Sequence, residues 1–330
     1  MIEVKNLVKR YGNYLAVDNI SFTVEKGEIV GFLGPNGAGK STTMNVMTGY
    51  LSATEGTVTI NDYDIFEEPE EAKKLIGYLP EQPPVYMDMT VVEYLHFVAA
   101  LKSVEKKLRR SQINKIIDET KLTEVKDRLI RHLSKGYRQR VGIAGALVGY
   151  PDLIILDEPT VGLDPKQIIE IRDLIRELSV NHTIILSSHI LSEVSAVCQR
   201  IIIINKGRLI ADATPEKLSE DANKNPSLKL SLKCSLDKAK EILSKVKAIS
   251  EINDTEETDG ICSAMIHTTE KSDIREEVFH LMADARIPIY EMKLQTLSLE
   301  DIFLKLTQDN LYSEENQNQQ MEELIDKEEE

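Results

Sequence analysis

The stretch Gly34-Pro35-Asn36-Gly37-Ala38-Gly39-Lys40-Ser41-Thr42 decides the reading of this chain. It fits Gly-x-x-x-x-Gly-Lys-[Ser/Thr], a loop that wraps phosphate groups. The apolar run from Ile29 to Leu33 precedes it and reads as a buried strand, and the residues from Thr42 to Met47 read as the start of a helix. Strand, loop and helix in that order are the context the motif requires. The glycines let the backbone turn its N–H groups inward, and the helix N-terminus adds a partial positive charge. Lys40 is placed to reach the β- and γ-phosphates of a nucleotide, and the Ser41 hydroxyl to ligate Mg²⁺.

Composition bounds what the rest can be. A chain of 330 residues with 42% hydrophobic content is expected to hold two domains and a sizeable core. Trp is absent and aromatics make up 5%, so that core is aliphatic. The net charge of −15 argues against nucleic acid as the main partner, because phosphate backbones select basic faces. Cys198, Cys234 and Cys262 are odd in number and lack Cys-x-x-Cys spacing, which fits reduced thiols in a cytosol rather than a metal site. The opening Met1-Ile2-Glu3-Val4-Lys5 does not read as a signal peptide, and no run approaches the roughly 20 apolar residues of a membrane span. The expectation is a soluble protein that could dock on a membrane protein.

Two half-buried strands, residues 2–8 and Leu15 to Val24, come before the loop, with Tyr11 between them. Gly49 is placed to end the loop helix, Gly56 to Ile60 is a strand followed by an Asn61-Asp62 turn, and Leu75 to Leu79 is a further strand. At Thr90 the period becomes helical. Thr90-Val91-Val92-Glu93 is a capping box, and helical patterns continue through Ile113, Ile116 and Ile117 to Leu133-Ser134-Lys135-Gly136-Tyr137-Arg138-Gln139-Arg140. Ser134 caps the helix that runs to Leu147, which offers a second N-terminus to an anion.

Leu153-Ile154-Ile155-Leu156 leads into Asp157-Glu158. A buried parallel strand ending in two carboxylates puts them where ligands bind in an open α/β sheet. Asp157 suits holding Mg²⁺, and Glu158 suits a general base acting on water. Asp164 caps a helix with Pro165 at its first position, and the strand from Thr183 ends at His189. A hairpin follows at Arg200 to Ile204 and Arg208 to Ala211. Asn223-Lys224-Asn225-Pro226 reads as a linker. Beyond it come a strand from Leu228, a helix (Asp237 to Lys247), a strand (Ala248 to Ile252), an acidic turn-rich loop, a strand (Ile261 to His267), a helix (Ser272 to Ala285) and a strand (Ile287 to Leu294). That is the split βαβ, ferredoxin-like order, and a last helix at Ser298 to Leu306 follows it. Residues 311–330 carry eight acidic side chains against Lys327 alone and read as a disordered tail.

Together these motifs resemble the ATPase subunit of an ATP-binding cassette (ABC) transporter over about residues 1–215. Gly34 to Thr42 match its Walker A, Leu153 to Pro159 its Walker B with the catalytic Glu158, Gly162-Leu163-Asp164 its D-loop and His189 its switch histidine. Leu133 to Arg140 resembles the family signature. Lys135 and Tyr137 stand in place of a glycine and the glutamine, while Ser134 and Gly136, the phosphate-contacting pair, remain. Tyr11 sits where the family stacks an aromatic on adenine, and Glu81, beside Gln82, falls at the position of a glutamine that approaches Mg²⁺.

The resemblance implies a P-loop α/β fold with a mixed sheet and a helical insert at about 88–149, then a small α+β domain over 216–310. It also implies ATP and Mg²⁺ as cofactors, and ATP sandwiched between Walker A of one subunit and the signature of another. The chain is thus expected to act as a homodimer or beside a related ATPase subunit. It would drive integral membrane permease subunits encoded separately, from the cytoplasmic face of the membrane. Tyr78-Leu79-Pro80-Glu81 and the extra C-terminal domain resemble members that serve export. The alternative is a non-transport cassette ATPase acting on DNA or ribosomes. The 94-residue interval from Lys40 to Ser134 is too short for the coiled coils of the DNA-maintenance members, and the translation members carry two cassettes where this chain has one.

Overall fold

The structure, a computed structural model, describes residues 2–222, 227–268, 273–295 and 297–307. The linker at 223–226 and the acidic tail at 311–330 lie outside the described residues. The chain divides between Pro215 and Glu216 into two compact units.

In the first unit, β1 (Ile2–Tyr11) and β2 (Tyr14–Val24) form a hairpin, and β3 (Ile29–Leu33) leads through the loop into α1 (Lys40–Met47). Next come β4 (Glu55–Ile60), β5 (Tyr63–Asp64), α2 (Pro69–Lys74) and β6 (Ile76–Leu79). The helical insert holds α3 (Val91–Leu101), α4 (Lys106–Glu119) and α5 (Lys135–Leu147). The unit closes with β7 (Leu153–Leu156), α6 (Pro165–Ser179), β8 (Thr183–Ser188), α7 (Leu191–Ser195), β9 (Arg200–Asn205) and β10 (Arg208–Ala213), after which α8 (Pro215–Ala222) begins.

Strands β3, β7 and β8 are buried at every position. Unbroken apolar runs of this kind belong to strands covered on both faces, as in parallel sheets. They sit at the centre of a six-stranded sheet in the order β10-β9-β3-β8-β7-β6. Every neighbour pair in it is parallel except β9 with β10. The second sheet, β2-β1-β4-β5, is antiparallel throughout. Its inward side chains meet the first sheet and α1 in one core, where Phe22 packs at a tilt against Phe32 at 5.4 Å between ring centroids, beside Met44, Met47 and Val58. Each such side chain contributes roughly 1.5–3 kcal/mol by leaving water, so Phe32→Ala would cost about 3–5 kcal/mol through the cavity it leaves. The topology sets the site: the segments after β3, β7 and β8 all emerge at one edge of the sheet, side by side.

The insert begins as read. Thr90 Oγ1 accepts from the Glu93 N–H at 3.3 Å and the Glu93 carboxylate accepts from the Thr90 N–H at 2.8 Å. Ser134 caps α5 by accepting from the Tyr137 N–H at 3.3 Å.

The second unit consists of β11 (Ser227–Leu232), α9 (Leu236–Leu243), β12 (Ile249–Thr258), β13 (Ile261–Thr268), α10 (Arg275–Asp284), β14 (Ile289–Gln295) and a helix at 299–307. Its sheet order, β12-β13-β11-β14 with all pairs antiparallel, is the ferredoxin-like arrangement. Leu228, Leu230, Leu232, Ile242, Val278 and Met282 share its core. The acidic stretch after Ile252, expected as a turn-rich loop, is instead strand up to Thr258, paired with β13, and turns only at Asp259-Gly260. β12 is an edge strand, and edges accept charged side chains that a central strand would not.

Candidate active site

The loop after β3 closes onto α1 through Gly39, which has φ of 102°. A Cβ at this residue would also lie 2.6 Å from the Ala16 carbonyl, so only glycine fits. The first N–H groups of α1 have no acceptor within their own helix, and the residues Gly39 to Thr42 that open it line one cavity with the Lys40 side chain. Lys40 is 6% exposed. Its Nζ donates to the Gly34 carbonyl at 2.7 Å and the Pro35 carbonyl at 3.3 Å, and lies 3.5 Å from Glu158 Oε1.

Three consecutive residues at the end of β8 hold the segment after β7. Ser187 Oγ donates to Asp157 Oδ1 at 2.5 Å and accepts from the Glu158 N–H at 2.8 Å. Ser188 belongs to a hydroxyl–carboxylate cluster with Thr160 and Glu193. His189 Nδ1–H donates to Glu158 Oε2 at 3.0 Å. Glu158 itself has φ of 48°, a left-handed conformation that costs a non-glycine residue on the order of 1–3 kcal/mol and that these bonds hold in place. Both of its carboxylate oxygens are thereby engaged, one by Lys40 and one by His189.

These groups line a cavity of about 500 Å³, with Asn36, Gly37, Ala38, Gly39, Ser41 and Thr42 on one wall and Glu81, Glu158, Val161 and His189 on another. Gln82 and Asp157 are not among its lining residues, and Asp157, next to the lining residue Glu158, is bonded to Ser187. Tyr11 and Tyr14 stand at the mouth, 46% and 62% exposed. They are hairpin partners in the β1–β2 register, and the Lys9 ammonium lies 5.3 Å from the Tyr11 ring centroid. Tyr14 escaped the sequence reading, although two tyrosines flanking a Gly12-Asn13 turn are placed to sit side by side.

Ser134, Gly136 and Asp164 do not join this cavity. They line a second one of about 240 Å³ with Arg140, Lys166 and Gln167. Asp164 caps α6 by accepting from the Gln167 N–H at 2.9 Å. The Gln167 side chain lies so close to Gly136 that an added Cβ would sit 2.7 Å from its Cδ. The Lys135 ammonium reaches across to Gly162, which brings the two loops into contact. The chain thus holds two separate cavities, each with a helix N-terminus in its lining.

Burial pushes the Tyr78 phenol upward, with Asp157 adding to the effect, so it is neutral at physiological pH and donates to Asn45 Oδ1 at 3.1 Å. Among the described residues no helix is long and apolar enough to cross a membrane.

Residues 17–161 match the family model described as ABC transporter. The bacitracin transport ATP-binding protein BcrA of Bacillus licheniformis is 34% identical over 309 residues, 93% of this chain and 97% of its own. The linearmycin resistance ATP-binding protein LnrL of Bacillus subtilis is 32% identical over 317 residues, 93% of this chain and 98% of its own. Among solved structures, a dimeric post-hydrolysis state of the ATP-binding cassette MJ0796 bound to ADP and Pi superimposes with a TM-score of 0.59 at 26% identity, covering 65% of this chain and 98% of that one. Full-length similarity to two ATP-binding subunits, on the fold and motifs described, makes this chain an ATPase of the ABC transporter ATP-binding family.

Proposed function

We propose that this chain is the ATP-hydrolysing half of an export system, working as a pair of cassettes at the cytoplasmic face of a separate membrane permease. The cassette would span residues 1–215 and the accessory domain 216–310. The observation that carries this reading is the separation of Ser134 and Gly136 from the P-loop cavity within one chain, so that each half-site has chemistry to offer a nucleotide held by another subunit. Export is supported by BcrA and LnrL, whose names concern bacitracin transport and linearmycin resistance and whose sequences match nearly the whole chain.

The residues suit Mg²⁺. Asp157 is 3% exposed, and its partner at Oδ1 is a hydroxyl rather than a cation. A buried carboxylate without a counter-charge is costly, and a hard cation held by Asp157, the Ser41 hydroxyl and nucleotide oxygens, with Glu81 nearby, offsets that cost. When bound, Mg²⁺ neutralises charge on the phosphates. The protein's own steps follow from the bonds above. The P-loop N–H groups and Lys40 hold the phosphates. As Lys40 turns to them it leaves Glu158 Oε1 free to take a proton from water, while His189 keeps Oε2 in place. Tyr11 and Tyr14 stack on the base, and Ser134 and Gly136 contact the γ-phosphate held by the partner.

The test is Mg²⁺-dependent ATP turnover by the purified chain, with Glu158→Gln as the inactive control. Light scattering of Glu158→Gln should show a dimer with ATP and less with ADP. Absence of Mg²⁺-ATP turnover by the chain together with its permease would overturn the reading. Affinity capture from detergent-solubilised membranes identifies the permease.

A further inference from the structure

Glu193 is a buried carboxylate that the chemistry above leaves unused. It lies in α7, four residues past His189, and is 8% exposed. Its partners among the described residues are hydroxyls rather than cations. Thr160 Oγ1 donates a short bond to Oε2, and Ser188 Oγ donates to the same oxygen at 3.4 Å. Thr160 and Ser188 are themselves buried, at 6% and 1%. Ser188 Oγ also accepts from the Ile190 N–H at 3.1 Å, and the Val161 N–H donates to the Glu158 carbonyl at 3.2 Å.

One carboxylate oxygen thus fastens two turns together. The turn after β7 carries Glu158 and, two residues on, Thr160. The turn after β8 carries Ser188 and then His189. Burying an ionised carboxylate is unfavourable unless its hydrogen bonds are complete, and an apolar residue would fill the same space at less cost. Retaining the carboxylate here makes sense if its bonds fix geometry that packing alone does not.

We propose that Glu193 is a positioning residue for hydrolysis, holding the Glu158 turn and the His189 turn in the relative placement that keeps Nδ1 on Oε2. The effect acts through Thr160 and Ser188 rather than by contact with substrate. The proposal rests on the reading of Glu158 as the base and His189 as its support.

The experiment measures Mg²⁺-ATP turnover against ATP concentration for the full chain and for Glu193→Ala, Glu193→Gln, Thr160→Val and the Glu193→Ala/Thr160→Val double variant, with Glu158→Gln as reference. Glu193→Ala should lower kcat by about 10- to 100-fold, the range that ångström-scale misplacement of reacting groups costs, with KM little changed. Glu193→Gln should recover most of the rate, because its side-chain oxygen still accepts from Thr160. Thr160→Val should reproduce the Glu193→Ala loss, and the double variant should be no worse than either single change, since both break the same link between the two turns. A Glu193→Ala kcat equal to wild type, a loss that falls on KM instead, or no rescue by Gln would overturn the proposal. If Glu193→Ala does not fold, Thr160→Val, a near-isosteric change, decides by the same criterion. Full turnover in Glu158→Gln would defeat the functional reading itself. An inactive Glu158→Gln beside a fully active Glu193→Ala would defeat the Glu193 role alone.

Discussion

Glu158→Gln should do two opposite things at once. In this structure Lys40 Nζ lies 3.5 Å from Glu158 Oε1, and both side chains are under 10% exposed. At that separation the pair's Coulomb attraction is about 5 kcal/mol for an effective dielectric of about 20. Desolvation of two buried ions offsets most of it, leaving a net coupling on the order of 1–2 kcal/mol. Phosphates arriving at Lys40 must displace that carboxylate. Removing its charge returns the coupling to the nucleotide, and about 1.4 kcal/mol is tenfold in affinity. The variant is therefore expected to bind ATP about tenfold more tightly. Its turnover should fall by about 10²–10⁴-fold, because an amide cannot accept the proton.

Fold stability should change little, since Lys40 keeps the Gly34 and Pro35 carbonyls as acceptors. The assay pairs calorimetric ATP titration with phosphate release and a melting curve. Tighter binding, lost turnover and a Tm within a few degrees of wild type is the expected set, a degree of shift corresponding to a fraction of a kcal/mol in a domain of this size. Weaker ATP binding in Glu158→Gln would refute the competition between carboxylate and phosphates for Lys40. Unchanged turnover would refute Glu158 as the base.

Other outcomes follow from single features. Tyr11→Ala and Tyr14→Ala should each weaken ATP binding by about 1–3 kcal/mol through lost stacking, yet leave inorganic tripolyphosphate binding untouched; equal losses for both ligands would count against a base contact. Gly39→Ala should lower Tm and nucleotide affinity together, because the αL backbone and the Ala16 carbonyl at 2.6 Å leave no space for a Cβ, and a variant that melts and binds like wild type would contradict the strain. Burial pushes the Cys234 thiol up to about 11 and the Cys198 thiol higher still. Iodoacetamide at neutral pH should thus label native protein slowly, with Cys234 reacting faster as pH rises towards its raised pKa and Cys198 only after denaturation; rapid labelling of Cys198 would contradict its burial.

What the sequence disclosed divides along a physical line. The P-loop was legible because its chemistry is local: glycine conformations, one lysine and one helix start, all within nine residues. Asp157, Glu158 and His189 were legible because apolar runs marked the strands that end at them. Ser187, Thr160 and Glu193 were not, since a serine, a threonine and a glutamate gain meaning only when β7 and β8 lie side by side and bring them within bonding distance. The short α2 left a readable trace that went unused, with Pro69 at its start, Glu70 and Glu71 in its first turn, and Lys73 and Lys74 in its last, the charge order a helix dipole favours. Strand β12 failed for the opposite reason. Its acidic residues look like a solvated loop, and only its place at the sheet edge makes them compatible with a strand.

The two half-sites bear on how ATP and a second subunit would be linked. The P-loop cavity presents Lys40 and a set of N–H groups, while Ser134 and Gly136 stand at a different helix N-terminus, reached through a different cavity. A triphosphate held at the first surface still has oxygens that the signature of another molecule could satisfy. Each ligand then strengthens the other by the same factor, because coupling free energy is reciprocal. A subunit pair that raises ATP affinity tenfold must itself be tightened tenfold by ATP, about 1.4 kcal/mol on each equilibrium. Hydrolysis breaks the link at the γ-phosphate, the one group that both surfaces would share, so ADP should support less association than ATP does. The departure at Lys135 falls at this junction. Its ammonium already contacts Gly162 in its own chain, so the cation adds positive potential to the signature surface while tying that surface to the loop that runs back to Glu158.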